Sequence, residues 1–171
     1  PRAITRAFVA AMAEAKVPPN PDFNGPEQAG ARPYQVTQFF DGPRRGERCS
    51  AAAAYLLPVK GRPNLTVLTR ARAERIVLEE GRATGVILRR AGRRIALQAR
   101  REVILSAGSF GSPQLLMLSG IGPAEALAAH GIPVAHDLPG VGENLQDHLD
   151  HTLIWQSPRR DVVGLNPRGL M

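Results

Sequence analysis

The sequence predicts a mixed α/β fold. Three features point to it. Residues 75–98 contain three short strand-like runs separated by glycine turns at Gly81 and Gly92. Residues 102–106, Glu-Val-Ile-Leu-Ser, have a continuously apolar core that leads into a glycine-rich turn and a punctuated helix. Residues 4–16 repeat apolar side chains at helical spacing.

Taken in order, Ile4, Phe8, Val9 and Met12 share one face of the first helix, and Pro18 and Pro19 stop it. Residues 20–48 are rich in proline, glycine and polar groups and predict a long loop. A loop of that length in a compact domain is usually functional, a lid, or support for neighbouring parts. Ser50 caps a short alanine-rich helix over 50–57, with Pro58 beyond its end. Residues 64–69 form a short apolar strand. Strands over 75–79, 84–89 and 94–98 come next with tight connections, so they predict an antiparallel meander. In the last of these, Ile95 and Leu97 face one way. Residues 101–106 predict a strand buried on both faces of a parallel sheet.

Ser112 is the expected N-cap of the next helix, with Pro113 at its first position and Gly120 after its end. Pro123 opens another helix. Glu125 lies in its first turn, and Gly131 closes it after His130. Residues 132–138 are extended and 139–142 form a turn. The stretch after Trp155, rich in proline, arginine and glycine, is expected to fray. No internal repeat is visible.

Composition narrows the function classes. The chain has 171 residues, enough for one domain with a core or for pieces of two. It begins at Pro1, which suggests a segment of a longer protein. No run reaches the roughly 20 apolar residues of a bilayer-spanning helix, and no signal peptide is visible. Cys49 is the single cysteine, which excludes an internal disulfide and fits a reducing compartment. Arg45 and Arg48 nearby favour a reactive thiol. A small half-buried side chain is the simpler reading.

The net charge of +7 comes from 20 arginines and two lysines set against 15 acidic residues. Such a balance permits polyanion binding. The arginines are scattered, however, and Arg89-Arg90, Arg93-Arg94 and Arg100-Arg101 lie at strand edges, where charge discourages edge pairing. Aromatics make up 5% of the chain, too few to stack on single strands, so no nucleic acid is expected as a partner.

Among sites that carry chemistry, the turn at 108–111 comes first. Gly108 and Gly111 carry no side chain to hold a ligand away, and the helix after them offers free N–H groups. From the residues alone, the turn is either a polar-ligand site or a tight connection that binds nothing. Gly140-Val-Gly-Glu-Asn-Leu145 begins like a dinucleotide fingerprint, but it lacks the third glycine and a preceding strand. Neither a P-loop nor a G-x-S-x-G elbow is present. In Asp147-His-Leu-Asp-His151, the two histidines would share a helix face beside two aspartates. Further ligands are not evident, so no metal is assigned. A polar segment with one proton-transferring histidine is the alternative.

Several short motifs follow one another in a telling order. Asp22-Phe-Asn-Gly25 is followed by Gly46-Glu-Arg-Cys-Ser50, Ala54-Tyr-Leu-Leu-Pro58, Arg62-Pro-Asn-Leu-Thr66 and Thr84-Gly-Val86. Glu102-Val-Ile-Leu-Ser-Ala-Gly108, Ser112-Pro-Gln-Leu-Leu116, Ser119-Gly-Ile-Gly-Pro123 and Leu138-Pro-Gly-Val-Gly-Glu-Asn-Leu-Gln-Asp-His148 complete the series. Over residues 1–155 the series resembles the middle of the glucose-methanol-choline (GMC) family of flavin oxidoreductases, and most of all its bacterial choline dehydrogenase and alcohol dehydrogenase (acceptor) branch. The stretches 102–123 and 138–148 are the most specific.

The resemblance implies part of a Rossmann-like FAD-binding domain with a β-meander, joined to helical and loop elements of a substrate domain. Residues 1–60 would adjoin the substrate domain, 61–140 would belong to the FAD domain, and 141–171 would begin the substrate-domain segment. It implies oxidation of an alcohol or choline-like CH–OH group by hydride transfer to FAD, with electrons passed on to an acceptor it does not identify. Ala73 would contact adenine through its backbone, for which alanine serves as well as valine. Ala107 and Gly108 would lie near the adenosine part. Asn144 and His148 would stand behind the groups on the flavin side.

The family's N-terminal G-x-G-x-x-G, its ribose-binding acid and its C-terminal histidine base are absent. Cys49 replaces a usual serine. No catalytic residue is therefore assigned within the segment, which alone is expected to hold FAD weakly and to be inactive. The implied location is the cytoplasm, or a membrane surface reached through the acceptor. The competing readings are a basic α/β module that binds a polyanion or a protein without catalysis, and a homologue that kept the fold and lost the flavin.

Overall fold

A computed structural model describes residues 3–33 and 35–154. The segment expected to fray after Trp155 lies outside the described residues. The chain divides into two compact units, residues 1–65 with 151–171, and residues 66–150. Residues 141–150 thus lie in the same unit as the meander.

In the first unit, helix α1 spans Ala3–Glu14. It ends in a Schellman motif, with Val17 N–H bonded to Met12 C=O and Lys16 N–H to Ala13 C=O, at 2.9 and 3.0 Å. Lys16 takes the left-handed conformation, φ +63°, that glycine usually supplies. The two prolines come after this stop rather than cause it. No α1 residue is buried, and Phe8 is exposed.

The loop after α1 is organised by Asn20, which is buried. Its side-chain amide donates to the carbonyls of Glu27 and Ala29, and its Oδ1 accepts from Asp22 N–H. Asp22 in turn accepts from Asn24 N–H and from the Gln35 amide. Those two bonds, with Arg32 nearby, hold the Asp22 carboxyl below its ordinary pKa. The expected cap forms as well, because Ala53 N–H donates to Ser50 Oγ at 3.2 Å. The capped segment is a π-helical turn over Ala52–Leu56 rather than an α-helix, and a 3₁₀ turn, Leu57–Val59, runs through Pro58. Pro58 falls in the first turn of that segment, where its missing N–H costs no bond.

The second unit carries the meander: β1 (Ala71–Glu79), β2 (Arg82–Arg90) and β3 (Arg93–Gln98). The strands pair antiparallel in the order β1-β2-β3. Both turns are two residues long. Glu80-Gly81 and Ala91-Gly92 have φ of +49° and +77°, and +48° and +77°. These values suit type I′ turns, whose twist matches the strands. Direct pairing puts Ile76, Val86, Leu88, Ile95 and Leu97 on one face. Ile76 and Leu88 are its buried centre.

Two expected strands do not form. Residues 64–69 and 101–106 have no ladder. A strand exists only through its hydrogen-bonded partner, and none of the described residues pairs with either segment. Ile104, at the centre of the second, is 78% exposed.

Helix α2 covers Gly108–Leu118, so it begins four residues before the expected cap. Ser112 Oγ instead reaches back and accepts from Ala107 N–H at 3.0 Å. Pro113 lies inside the helix. The helix packs on β1, and its end is tied there by Ser119, which is 1% exposed. Ser119 Oγ accepts from Ile76 N–H at 2.8 Å and donates to Leu115 C=O at 2.6 Å. Ser119→Ala removes the partner of a buried N–H, so urea unfolding is expected to show a loss of about 1–3 kcal/mol.

After α2, β4 (Ile121–Gly122) runs parallel to β5 (His136–Asp137), with α3 (Ala124–Ala129) between them. Asp137 Oδ1 accepts from Ala124 N–H at 3.0 Å and so caps α3 from a distance. Gly131, with φ +65°, ends α3 in a second Schellman motif.

Candidate functional site

Three of the residues singled out from sequence, Ala73, Ala107 and Asn144, fall on two sides of α2. On one side, Ala73 of β1 and Ala107 line a niche of about 220 Å³, together with Arg72, Gly111, Gln114, Leu115 and Leu118. On the other lies an apolar groove of about 1170 Å³. Pro113, Leu116, Met117, Leu127, Val141 and Asn144 are among its walls. Gln114 and Leu118, one helical turn apart, border both.

Ala73 and Ala107 meet because the buried face of β1 packs on α2 and Ser119 fixes their separation. Gly108 opens α2 at φ +81°, and a Cβ built there meets no atom within 4 Å. The space beside this turn is therefore open to an approaching group. Gly111 has a different role, because a Cβ there would stand 3.0 Å from Ala107 Cβ. It allows the first turn of α2 to pass close to Ala107.

Asn144 lines the groove with φ +54°, a left-handed conformation that asparagine tolerates. His148 is exposed and lines neither cavity. Its backbone N–H donates to Asp147 Oδ1 at 2.8 Å. Residues 147–150 are not helical, so the shared helix face expected for the histidines does not exist. Among the described residues, no group of three or more His, Cys, Asp or Glu side chains converges as metal ligands. Cys49 is half-buried in the first unit.

An arginine cluster adjoins the niche, and sequence reading missed it. Glu74 sits at a register shift in β1, between Ala73 and Arg75. The bulge turns its carboxylate towards Arg89 and Arg94, which are paired across β2 and β3. Arg72, a wall of the niche, approaches the same carboxylate at 3.6 Å. Like charges directly opposite in a sheet repel, and Glu74 offsets that repulsion. The Arg89 hydrogen bond, and then that of Arg94, lower the Glu74 pKa from 4.5 to about 2.

A folded-state pKa below the unfolded one stabilises the fold above pH 4.5, and the gain is lost as pH falls to about 2. Glu74→Gln is therefore expected to lower Tm at pH 7. The difference from the wild type should shrink below pH 4.5 and vanish near pH 2, as read by thermal melts across that range.

Residues 2–150 match the sequence profile of the family described as GMC oxidoreductase. The chain belongs to the GMC oxidoreductase family. Its α/β fold, with the antiparallel meander, is part of that family's Rossmann-like domain. The chain is 45% identical to the alcohol dehydrogenase [acceptor] of Pseudomonas putida, over 98% of its own length and 31% of the relative's. It is 51% identical to the oxygen-dependent choline dehydrogenase of Sinorhizobium medicae, over 84% of its length and 25% of the relative's. It thus spans roughly a quarter to a third of these curated relatives.

Among solved structures it is similar to pyridoxine 4-oxidase from Mesorbium loti, with TM-score 0.65 and 32% identity over 80% of this chain and 26% of that one. It is also similar to an FAD-dependent oxidoreductase from Chaetomium thermophilum, with TM-score 0.51 and 41% identity over 53% of this chain and 16% of that one.

Proposed function

We propose that this chain supplies one wall of the FAD site in an oxidoreductase that acts on the CH–OH group of an alcohol. The supporting observation is the niche, where Ala73 and Ala107, distant in sequence, converge with Gly108 beside them.

The niche fits part of the cofactor. At about 220 Å³ it is smaller than the roughly 300–1,000 Å³ of complete small-molecule pockets. Two alanines and a glycine leave room for backbone groups to meet a planar base. Leu115 and Leu118 supply an apolar surface, and Arg72 and Gln114 supply polar edges. An adenosine moiety matches that mixture. Asn144, in the groove, and the exposed His148 are assigned to the flavin side only as supporting residues.

A bound flavin would supply the hydride acceptor for oxidation of the alcohol carbon. This chain's own part is to hold and orient the cofactor's far end, and no residue here is assigned as the base. Its relatives are named for an alcohol with an acceptor and for choline, so an alcohol substrate and a separate electron acceptor are the implied partners. A cytoplasmic location, or a membrane reached through that acceptor, is part of the same proposal. Among the described residues no helix is long and apolar enough to cross a membrane.

Titration with FAD and FMN, monitored by flavin fluorescence, tests the reading. In free FAD the adenine stacks on the flavin ring and quenches it. Holding the adenosine half in the niche separates the two, so FAD emission should rise, AMP should reverse the rise, and FMN should show no change. An FAD signal indifferent to AMP would contradict the proposal.

A further inference from the structure

We propose that Gln114 reads the edge of the adenine ring. The inference rests on the cofactor reading above and goes beyond it, because it assigns recognition of the base to a side chain rather than to backbone alone.

Among the described residues, Gln114 is the only uncharged polar side chain with a hydrogen-bonding head in the niche. The other lining residues are Arg72, two alanines, a glycine and two leucines. It is exposed, and its carboxamide makes no hydrogen bond among the described residues. The residue lies on α2 one turn before Leu118, so packing against β1 fixes its Cα relative to Ala73. A free amide on a rigid element, at the border of a small niche, is positioned to meet what enters.

The chemistry selects the partner. A carboxamide carries an acceptor, Oε1, beside a donor, Nε2–H. Adenine carries the complement, its 6-amino donor beside a ring-nitrogen acceptor, and glutamine pairs with it in this bidentate way. The 6-amino group would donate to Oε1, and Nε2–H would donate to the adjacent ring nitrogen. Arg72 cannot substitute, because guanidinium has no acceptor and its charge is already engaged by Glu74.

The test is a chemical double-mutant cycle read by NMR on the full chain. The probes are AMP and purine riboside 5′-monophosphate, which lacks only the 6-amino group. The proteins are wild type and Gln114→Leu. Leucine is a good helix former and position 114 is exposed, so the variant keeps α2. In the wild type, AMP should shift the backbone amides of Ala73, Ala107 and Gly108 and the side-chain NH₂ pair of Gln114. Loss of the 6-amino group should weaken binding about tenfold in the wild type and less than twofold in Gln114→Leu. If AMP shifts those backbone amides but loss of the amino group costs both proteins equally, the assignment of Gln114 is overturned and the adenosine niche stands. If AMP shifts none of the three amides, the cofactor reading fails, and this inference with it.

Discussion

Gly120→Ala is expected to destabilise the fold by about 2–4 kcal/mol, one of the two largest effects of any single substitution proposed for this chain. Two costs add. Gly120 sits at φ +84°, where a Cβ is strained whatever the space around it. That Cβ would also stand 2.5 Å from Pro133 C=O and 3.1 Å from Ala135 N, both backbone atoms. They cannot step aside, because Gly120 C=O accepts from Ala135 N–H and His136 N–H at 2.8 and 3.0 Å. Those bonds anchor β5 beside β4. Urea unfolding monitored by circular dichroism measures the loss. A change below about 0.5 kcal/mol would mean that the β4–β5 pairing is looser than the geometry states.

Leu127→Ala is the second, with an expected loss of about 2–5 kcal/mol. Among the described residues, Leu127 is the most deeply buried large side chain, at 0% exposure. Its carbonyl accepts Ile132 N–H at 2.9 Å and so closes the Schellman motif that turns the chain from α3 towards β5. Its side chain is a wall of the large groove. Truncation therefore leaves a void beside the groove and loosens its floor. Leu127→Met, close in volume, should cost under about 1.5 kcal/mol in the same measurement. Similar losses for the two variants would show that the backbone motif, not packing, carries the stability.

How much of the fold is legible in the sequence depends on how far each feature reaches. The meander was legible because its turns are local. A glycine between two short strand-like runs marks a tight turn without outside help, although the left-handed Glu80 and Ala91 before each glycine carry no such signal. Gly120 and Gly131 announced the ends of α2 and α3 for the same reason. Residues 102–106 carry the pattern of a doubly buried strand, but a strand needs partners, and the described residues supply none. The start of α2 was misplaced because two glycines and an internal proline are weak helix signals. Ser112 looked like a cap, yet its hydroxyl serves the turn behind it. β4 and β5 are too short to leave a periodic trace.

The site divides along the same line. Gly108 stood out in its glycine-rich turn, whereas Ala73 and Ala107 were named through a family resemblance, because an alanine announces nothing in itself. Their meeting depends on Ser119 bridging to Ile76, 43 residues away. Glu74 was invisible because only a bulge turns it towards Arg89 and Arg94. Gln114 passed as an ordinary helix residue, since its significance lies in bordering two cavities. Asn144 and His148 were named together, but the structure puts only Asn144 on a cavity wall.

The niche between β1 and α2 is proposed to receive the adenosine half of the cofactor. The most direct measurement is the set of nuclear Overhauser effects from adenine H2 and H8 of bound AMP to the methyl groups of this chain. Contacts to the Ala73 and Ala107 methyls are expected. Contacts to Met117 and Val141 in the large groove, with none to the two alanines, would contradict it.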